Sequence, residues 1–345
     1  MKKTNSLQSF LKLPIGQIVI FVEVLTVIQI LSMAGLIPNS FVGAITNTLI
    51  YAIISIGFCL LLGYSGLASL GTAGFVGIGV YSAFYIMQEL QLPYILALVV
   101  TLVVSIILGV AVGFISLRIE GIYLAILTLG LAEIIRNVLM VLKSTVNISL
   151  KNLKLFGIQM DTSGRMVYFL VLVTFAVLMW LTSNLIRSPT GRAMLAMKNS
   201  TSAAQAMGIS LMKFRLLAFV ISTVFAAIGG LLFMVYIPSV TTATSTLLTL
   251  TTSLNILGAV IIGGAKSLWG TTFGAFIIYG IQSMFLSKIP FFKNNPAFIT
   301  MVTGLLIILV VMFFPGGVAQ IVLNIKAWWK GKKAKKAAAK AKEVA

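Results

Sequence analysis

The 345-residue chain carries 25 Lys and Arg against 6 Asp and Glu, a net charge of +19, yet only 9% of it is charged and 59% is hydrophobic. Soluble domains are about 25% charged, so a water-soluble globular enzyme is excluded and lipid is the expected solvent. With no histidine in the chain, the Ser-His-Asp triad, the usual zinc ligands and the default general base are also missing.

The opening MKKTNSLQSFLKLP leads into an apolar run with no small-x-small cleavage site, which predicts a retained first helix rather than a removed leader. From Val24 to Leu117 the only charged side chain is Glu89, and Leu216 to Ala265 holds none. At about 20 residues per crossing, Gly, Pro and polar punctuation divide the chain into ten expected spans: 17–37, 41–62, 71–88, 94–117, 121–142, 167–186, 216–237, 247–264, 270–287 and 297–315. The expected fold is therefore an all-α polytopic membrane protein of about ten transmembrane helices. A segment at 1–16, a membrane domain at 17–315 and a Lys-rich tail at 316–345 make up the chain. With the N-terminus inside, eighteen basic residues fall on inner segments, six on outer loops, and Arg136 within a span. The positive-inside rule then places both ends in the cytoplasm.

Gly63 to Gly74, GYSGLASLGTAG, lies between two apolar runs. Irregular backbone survives at membrane depth only inside protein or along a water-filled cavity, so an interrupted helix here would line a polar path with Tyr64, Ser65, Ser69 and Thr72. A tight turn with small-residue packing accounts for the same residues. Ser267-Leu-Trp-Gly-Thr-Thr-Phe-Gly274 echoes Ser69-Leu-Gly-Thr-Ala-Gly-Phe75, as a two-repeat architecture would. Cys59 sits in an apolar run and reads as a small buried hydrophobe.

In the fifth span, Tyr123 and Thr128 are further path candidates, and Glu133 and Arg136 are three apart, close enough to neutralise each other on one helix face. Intramembrane ionisable groups either fix packing or touch the conduction path. Glu23 has no neighbour of opposite charge, leaving pairing with Arg136 or protonation.

Residues 187–215, RSPTGRAMLAMKNSTSAAQAMGISLMKFR, form the one long inner loop. Pro189-Thr-Gly191 breaks the incoming span, Asn199 to Ser202 supplies helix caps, and Gly208 suits the C-terminal cap of a two-turn helix. Small Ala203, Ala204 and Ala206 would allow close approach of a partner, and Met197 and Met207 adaptable apolar contact; a plain amphipathic interface helix is the alternative. The eight tail lysines suit anionic lipid headgroups better than nucleic acid.

Five segments together resemble the M-type permease subunit of branched-chain amino-acid ABC importers. They are GYSGLASLGTAGFVGIGVY (63–81), GIYLAILTLGLAEIIR (121–136), TGRAMLAMKNSTSAAQAMGISLMKFRLLAFVIS (190–222), LGAVIIGGAKSLWG (257–270) and GLLIILVVMFFPGGV (304–318). The resemblance implies a non-catalytic translocator in a bacterial or archaeal cell membrane. Its partners would be a second, H-type permease, two cytoplasmic P-loop ATPase subunits and an extracytoplasmic binding protein. The solute would be Leu, Ile, Val or a relative, with urea or short amides as alternatives. It further implies that 187–215 docks on the ATPase, with Ala203, Ala204 and Gly208 on the Ala-Ala-x-x-x-Gly positions and Gly191 and Arg192 ahead of them. Thr201, Ser202 and Gln205 stand where the family often has acidic residues. No G-x-x-x-x-G-K-[ST] occurs, so the chain is expected to bind no cofactor and ATP to be used by the partner subunits. The rival expectation is an ion-coupled secondary transporter relaying protons through Glu23, Glu133 and Arg136.

Overall fold

The computed structural model describes residues 14–116, 121–148, 154–155, 158–159, 164–241, 246–286, 289–290, 292, 296–313 and 316–320. Most of the N-terminal segment, Arg118, Glu120 and nearly all of the lysine tail lie outside them.

Backbone groups in hydrocarbon have no water to bond, so apolar runs close their hydrogen bonds within helices. Helix α1 is Pro14–Met33, α2 is Asn39–Cys59, α3 is Thr72–Phe84, α4 is Tyr94–Ser116 and α5 is Ile122–Leu142. Then come α6 at Arg165–Arg187, α7 at Pro189–Asn199, α8 at Thr201–Ala206 and α9 at Leu211–Tyr236. After these come α10 at Leu250–Gly263, α11 at Leu268–Ala275, α12 at Ile281–Met284 and α13 at Pro296–Phe313. Helices α2 and α3 run on into π-helical turns, Leu60–Tyr64 and Tyr85–Glu89, and a third, Phe276–Gly280, joins α11 to α12. Each expected span thus coincides with helix. Among the described residues, six helices are long and apolar enough to cross a membrane by length and composition: α1, α2 with its π turn, α4, α5, α6 and α9.

Helix α2 is the centre of the molecule. Every residue from Thr48 to Leu61 is buried, as expected of a helix that is apolar all round. Helices α6, α9, α10 and α11 pack against it. Helix α9 also lies along α3, where glycines bring the two backbones together. A Cβ on Gly79 would overlap the carbonyl of Ala227, and one on Gly230 the carbonyl of Val76. By contrast, only 17% of the most apolar stretch of α5 lies inside the chain, which leaves that helix free to face lipid or another subunit.

Two short antiparallel ladders depart from the all-helical expectation. Strand β1, Thr145–Asn147, pairs with β4, Ser239–Thr241, with Val146 opposite Val240, and both valines are buried. Strands β2, Lys154–Leu155, and β3, Ile158–Gln159, pair with each other. Beside the first ladder, Lys143 Nζ lies 2.7 Å from Glu89 Oε1 and 4.3 Å from the centre of the Phe84 ring.

Candidate functional site

The interrupted helix is real. After the π turn, Ser65 to Gly71 is not helical, and Gly66 takes a left-handed φ of +76° that a side chain would strain. Side-chain hydroxyls take up the backbone N–H groups in and after the break. Leu70 N–H donates to Thr128 Oγ1 at 3.0 Å, Gly71 N–H to Ser69 Oγ at 3.2 Å, and Ala73 N–H to Ser253 Oγ at 3.1 Å. Helices α5 and α10 therefore hold the break open from two sides.

A matching break at Gly264 to Ser267 separates α10 from α11, with Ser267 Oγ capping Gly270 N–H at 3.1 Å. The two breaks touch: Tyr64 hydroxyl donates to Lys266 O at 2.9 Å, and Cys59 Sγ lies 3.2 Å from Ala265 O. Nothing larger than hydrogen fits on Gly63, whose Cβ would land on the Ala265 carbonyl.

Four of the six path candidates are packed. Ser65, Ser69, Thr72 and Thr128 are all buried, and Ser69 and Thr72 border a void of only about 10 Å³, the room of about one water. Tyr64 instead lines a separate cavity of about 240 Å³ with Arg187, Lys266 and Trp269. Tyr123 is 73% exposed. Five residues before Thr128 on a helix of 3.6 per turn, it points to another face, so it is not brought to the others.

The ion pair forms within α5, with Arg136 Nη1 2.8 Å from Glu133 Oε1. Arg136 therefore takes its helical neighbour rather than Glu23. The Glu23 side chain is exposed on α1 and makes no ion pair among the described residues.

The long inner loop folds into two helices. Pro189 does more than break α6: with Ser188 as N-cap, its Oγ accepting from Gly191 N–H at 3.4 Å, it opens the eleven-residue α7. Proline's fixed φ suits the first helical turn. Gly191 is buried against the end of α6, while Arg192 is exposed. Ser200 Oγ caps α8 through Ala203 N–H at 3.2 Å, and Gly208, at φ +80°, ends it with Ile209 N–H on Ala204 O. The alanines divide: Ala203 and Ala206 are exposed, but Ala204 is 4% exposed and turned inward. Met197 is likewise buried and Met207 exposed.

One contact carried no signal in sequence. Lys198 Nζ donates to Leu62 O at 3.1 Å and to Gly63 O at 2.8 Å, capping the end of the central helix from α7. Desolvation first, and then the charge of Lys266, hold its ammonium below the usual lysine range.

A family model described as "Branched-chain amino acid transport system / permease component" matches residues 40–311. The high-affinity branched-chain amino acid transport system permease protein LivM of Salmonella typhimurium strain LT2 is 32% identical over 217 residues, 54% of this chain and 51% of that protein. Its counterpart of the same name in Escherichia coli K12 is 31% identical over the same shares. The chain thus spans about half the length of the curated relatives it matches. No solved structure matches it. Since the match runs from the first turn of α2 to the last of α13, across both helix breaks and the α7–α8 segment, the chain belongs to the branched-chain amino acid transport system permease family.

Proposed function

We propose that the chain is a transmembrane permease subunit of an ABC importer for branched-chain amino acids or a related small solute, in a bacterial or archaeal cell membrane. Two separate ATPase subunits energise it, a second permease subunit pairs with it, and an extracytoplasmic binding protein delivers the solute.

The observation that carries this reading is the α7–α8 segment. It presents a short capped helix, exposed except at Ala204, and is tied through Lys198 to the end of the central helix. A motor pressing on Ala203, Gln205 and Met207 would therefore load α2 directly. Gly191, buried against Leu185 and Ile186, sets the angle at which the segment leaves α6, and the exposed Arg192 would face the motor.

The second permease is supported by α5. An ion pair whose Glu133 side chain is 51% exposed is costly against lipid, so a protein or aqueous cover on that face fits better. The ten-crossing, N-in and C-in threading is supported by how the loops sort. The two helix breaks and α7 meet at one end, while the β1–β4 ladder and the Glu89–Lys143 pair join connections assigned to the other. In the inward-open state the path lined by Tyr64, Ser65, Ser69, Thr72 and Thr128 would widen from its packed form. The relatives' names support the solute class.

Reconstitution of the chain with its partner subunits in vesicles should give leucine uptake that requires ATP. Uptake by this chain alone, driven by a proton gradient without any ATPase, would refute the proposal.

A further inference from the structure

At the end of the bundle away from α7 and α8, a cleft of about 370 Å³ opens between α2, α10, the α11–α12 unit and α13. Such a volume falls in the range of small-molecule sites. Asn47, Tyr51, Thr252, Asn255, Tyr279 and Gln282 line it, with Thr300 on its α13 side. Tyr51 and Tyr279 are the lining residues deepest along their helices. Their rings stack at 3.7 Å and 3° and form the inner end of the cleft. Tyr51 lies twelve residues from the start of α2, about 18 Å at about 1.5 Å per residue, which is near the middle of the bilayer.

Two bare polar atoms meet in this cleft. Many buried threonine hydroxyls bond a carbonyl of their own helix, Thr46 to Val42 O, Thr48 to Ala44 O, Thr182 to Leu178 O and Thr303 to Ile299 O, while Ser55, Ser65 and Thr101 are bare singly and border no cleft of this size. The Tyr279 hydroxyl and the Asn47 side-chain oxygen are buried with no partner, and Tyr279 is 6% exposed. A phenol in a span cannot turn back to its own backbone as threonine does, and the bare atom of Asn47 is an acceptor, for which a helix has no free N–H. Leaving such atoms bare is costly in a core, so their retention beside a cleft points to a ligand that completes them.

The lining also states the ligand's charge. Among the described residues no cation or carboxylate faces the cleft, so an ion of net charge would lose its water without a counter-charge. A neutral or zwitterionic solute fits instead. Amide N–H and hydroxyl groups donate to a carboxylate or carbonyl, and amide oxygens and tyrosine faces receive an ammonium.

We propose that this cleft is a weak solute-binding site, on the half of the chain remote from the α7–α8 segment, for a small neutral or zwitterionic molecule of amino-acid size. Assigning the transported solute as its occupant rests on the importer reading above; the site itself does not.

The test uses the assembled complex carrying Thr300→Cys in a Cys59→Ala background, with L-leucine and acetamide as probes. Millimolar leucine or acetamide should slow alkylation of the new cysteine by a neutral maleimide about threefold or more, aspartate and lysine should not, and Tyr279→Phe should abolish the protection. Tyr279→Phe removes an unpartnered hydroxyl, so thermal stability should stay level or rise, separating a binding defect from misfolding. No protection by either probe, or equal protection by the charged amino acids, overturns the site. In transport, unchanged ATP-driven leucine uptake by Tyr279→Phe overturns the assignment of the transported solute as the occupant. Protection that persists in a complex with no ATP-driven uptake would instead sink the importer reading and leave the site standing.

Discussion

Replacing Gly230 by alanine puts a methyl group where the structure has backbone. The added Cβ overlaps the Val76 carbonyl oxygen and sits 3.1 Å from Val76 Cα, whereas carbon–carbon contact needs about 3.5 Å or more. Neither group is the mobile end of a side chain, so α3 and α9 must part. A gap of about 0.5–1 Å already forfeits a quarter to a half of each contact along the seam. Overpacking of this kind costs about 1–3 kcal/mol, offset by up to about 1 kcal/mol for alanine's better helix propensity. The net expectation is a loss of about 2 kcal/mol. Gly79→Ala, which meets the Ala227 carbonyl and Leu231 N at 2.9 Å, should lose a similar amount. Because the first methyl already separates the helices, the double variant should lose clearly less than the sum. Gly130→Ala, with nothing within 4 Å of the new methyl, is the control and should change stability by no more than about 1 kcal/mol. Reversible unfolding of the purified chain in mixed micelles, followed by circular dichroism, measures all four. Full additivity of the pair, or stabilisation by either single change, would refute the picture of two backbones in direct contact.

Thr128→Val should destabilise the chain by about 1–3 kcal/mol, since it strands the buried Leu70 N–H, and Thr128→Ser should recover most of this in the same assay. Gly208→Ala forces a side chain into φ +80° at about 1–2 kcal/mol; the frayed α8 should weaken copurification with the ATPase, and intact coupled uptake would count against the docking role. Single cysteines at Asn147 and Ser200 in the Cys59→Ala background should react with impermeant reagent from opposite sides of the membrane, and same-side labelling would break the threading. Because the Lys198 pKa is lowered on folding, the unfolded chain holds this proton to higher pH. Stability should therefore rise with pH between the depressed value and the ordinary lysine value. Lys198→Met should flatten that alkaline slope, and an unchanged or steeper rise in the variant would refute it.

The helices were legible because bilayer thickness turns apolar run length into a direct signal. One boundary missed because of charge. The seventh span was expected from 216, but α9 starts at Leu211 and takes Lys213 and Arg215 into its first turns, where long cationic side chains reach back to water. The break after Tyr64 was visible in its glycines and serines, and Ser200 and Gly208 as caps in their residue types. The π turns were not, since the five residues of Phe276–Gly280 differ from an ordinary helix in hydrogen-bond register rather than composition. Long-range pairings were equally silent: Glu89 with Lys143, β1 with β4, and Lys198 with the end of α2 join partners that no local pattern relates. The inward turn of Ala204 was hidden because alanine fits a core and a docking face equally well.

The two ends of the molecule hold their polar groups differently. At the end holding the breaks, backbone groups are met by Thr128, Ser253, Ser267 and Lys198, although the Ser65 and Thr271 hydroxyls there are bare. At the other end, Tyr279 and Asn47 keep bare atoms beside an open cleft. Helix α2 spans both, with Asn47 and Tyr51 toward one end and the Leu62 and Gly63 carbonyls held by Lys198 at the other. A helix this thoroughly buried cannot bend to absorb a load, so a push on α7 would be felt as a shift of α2 along its length. Such a shift would disturb the Tyr51–Tyr279 stack, whose 3.7 Å contact tolerates little sliding. Release of a weakly held solute from the cleft and opening of the packed break are then two consequences of one helix displacement, and neither requires a local machine of its own.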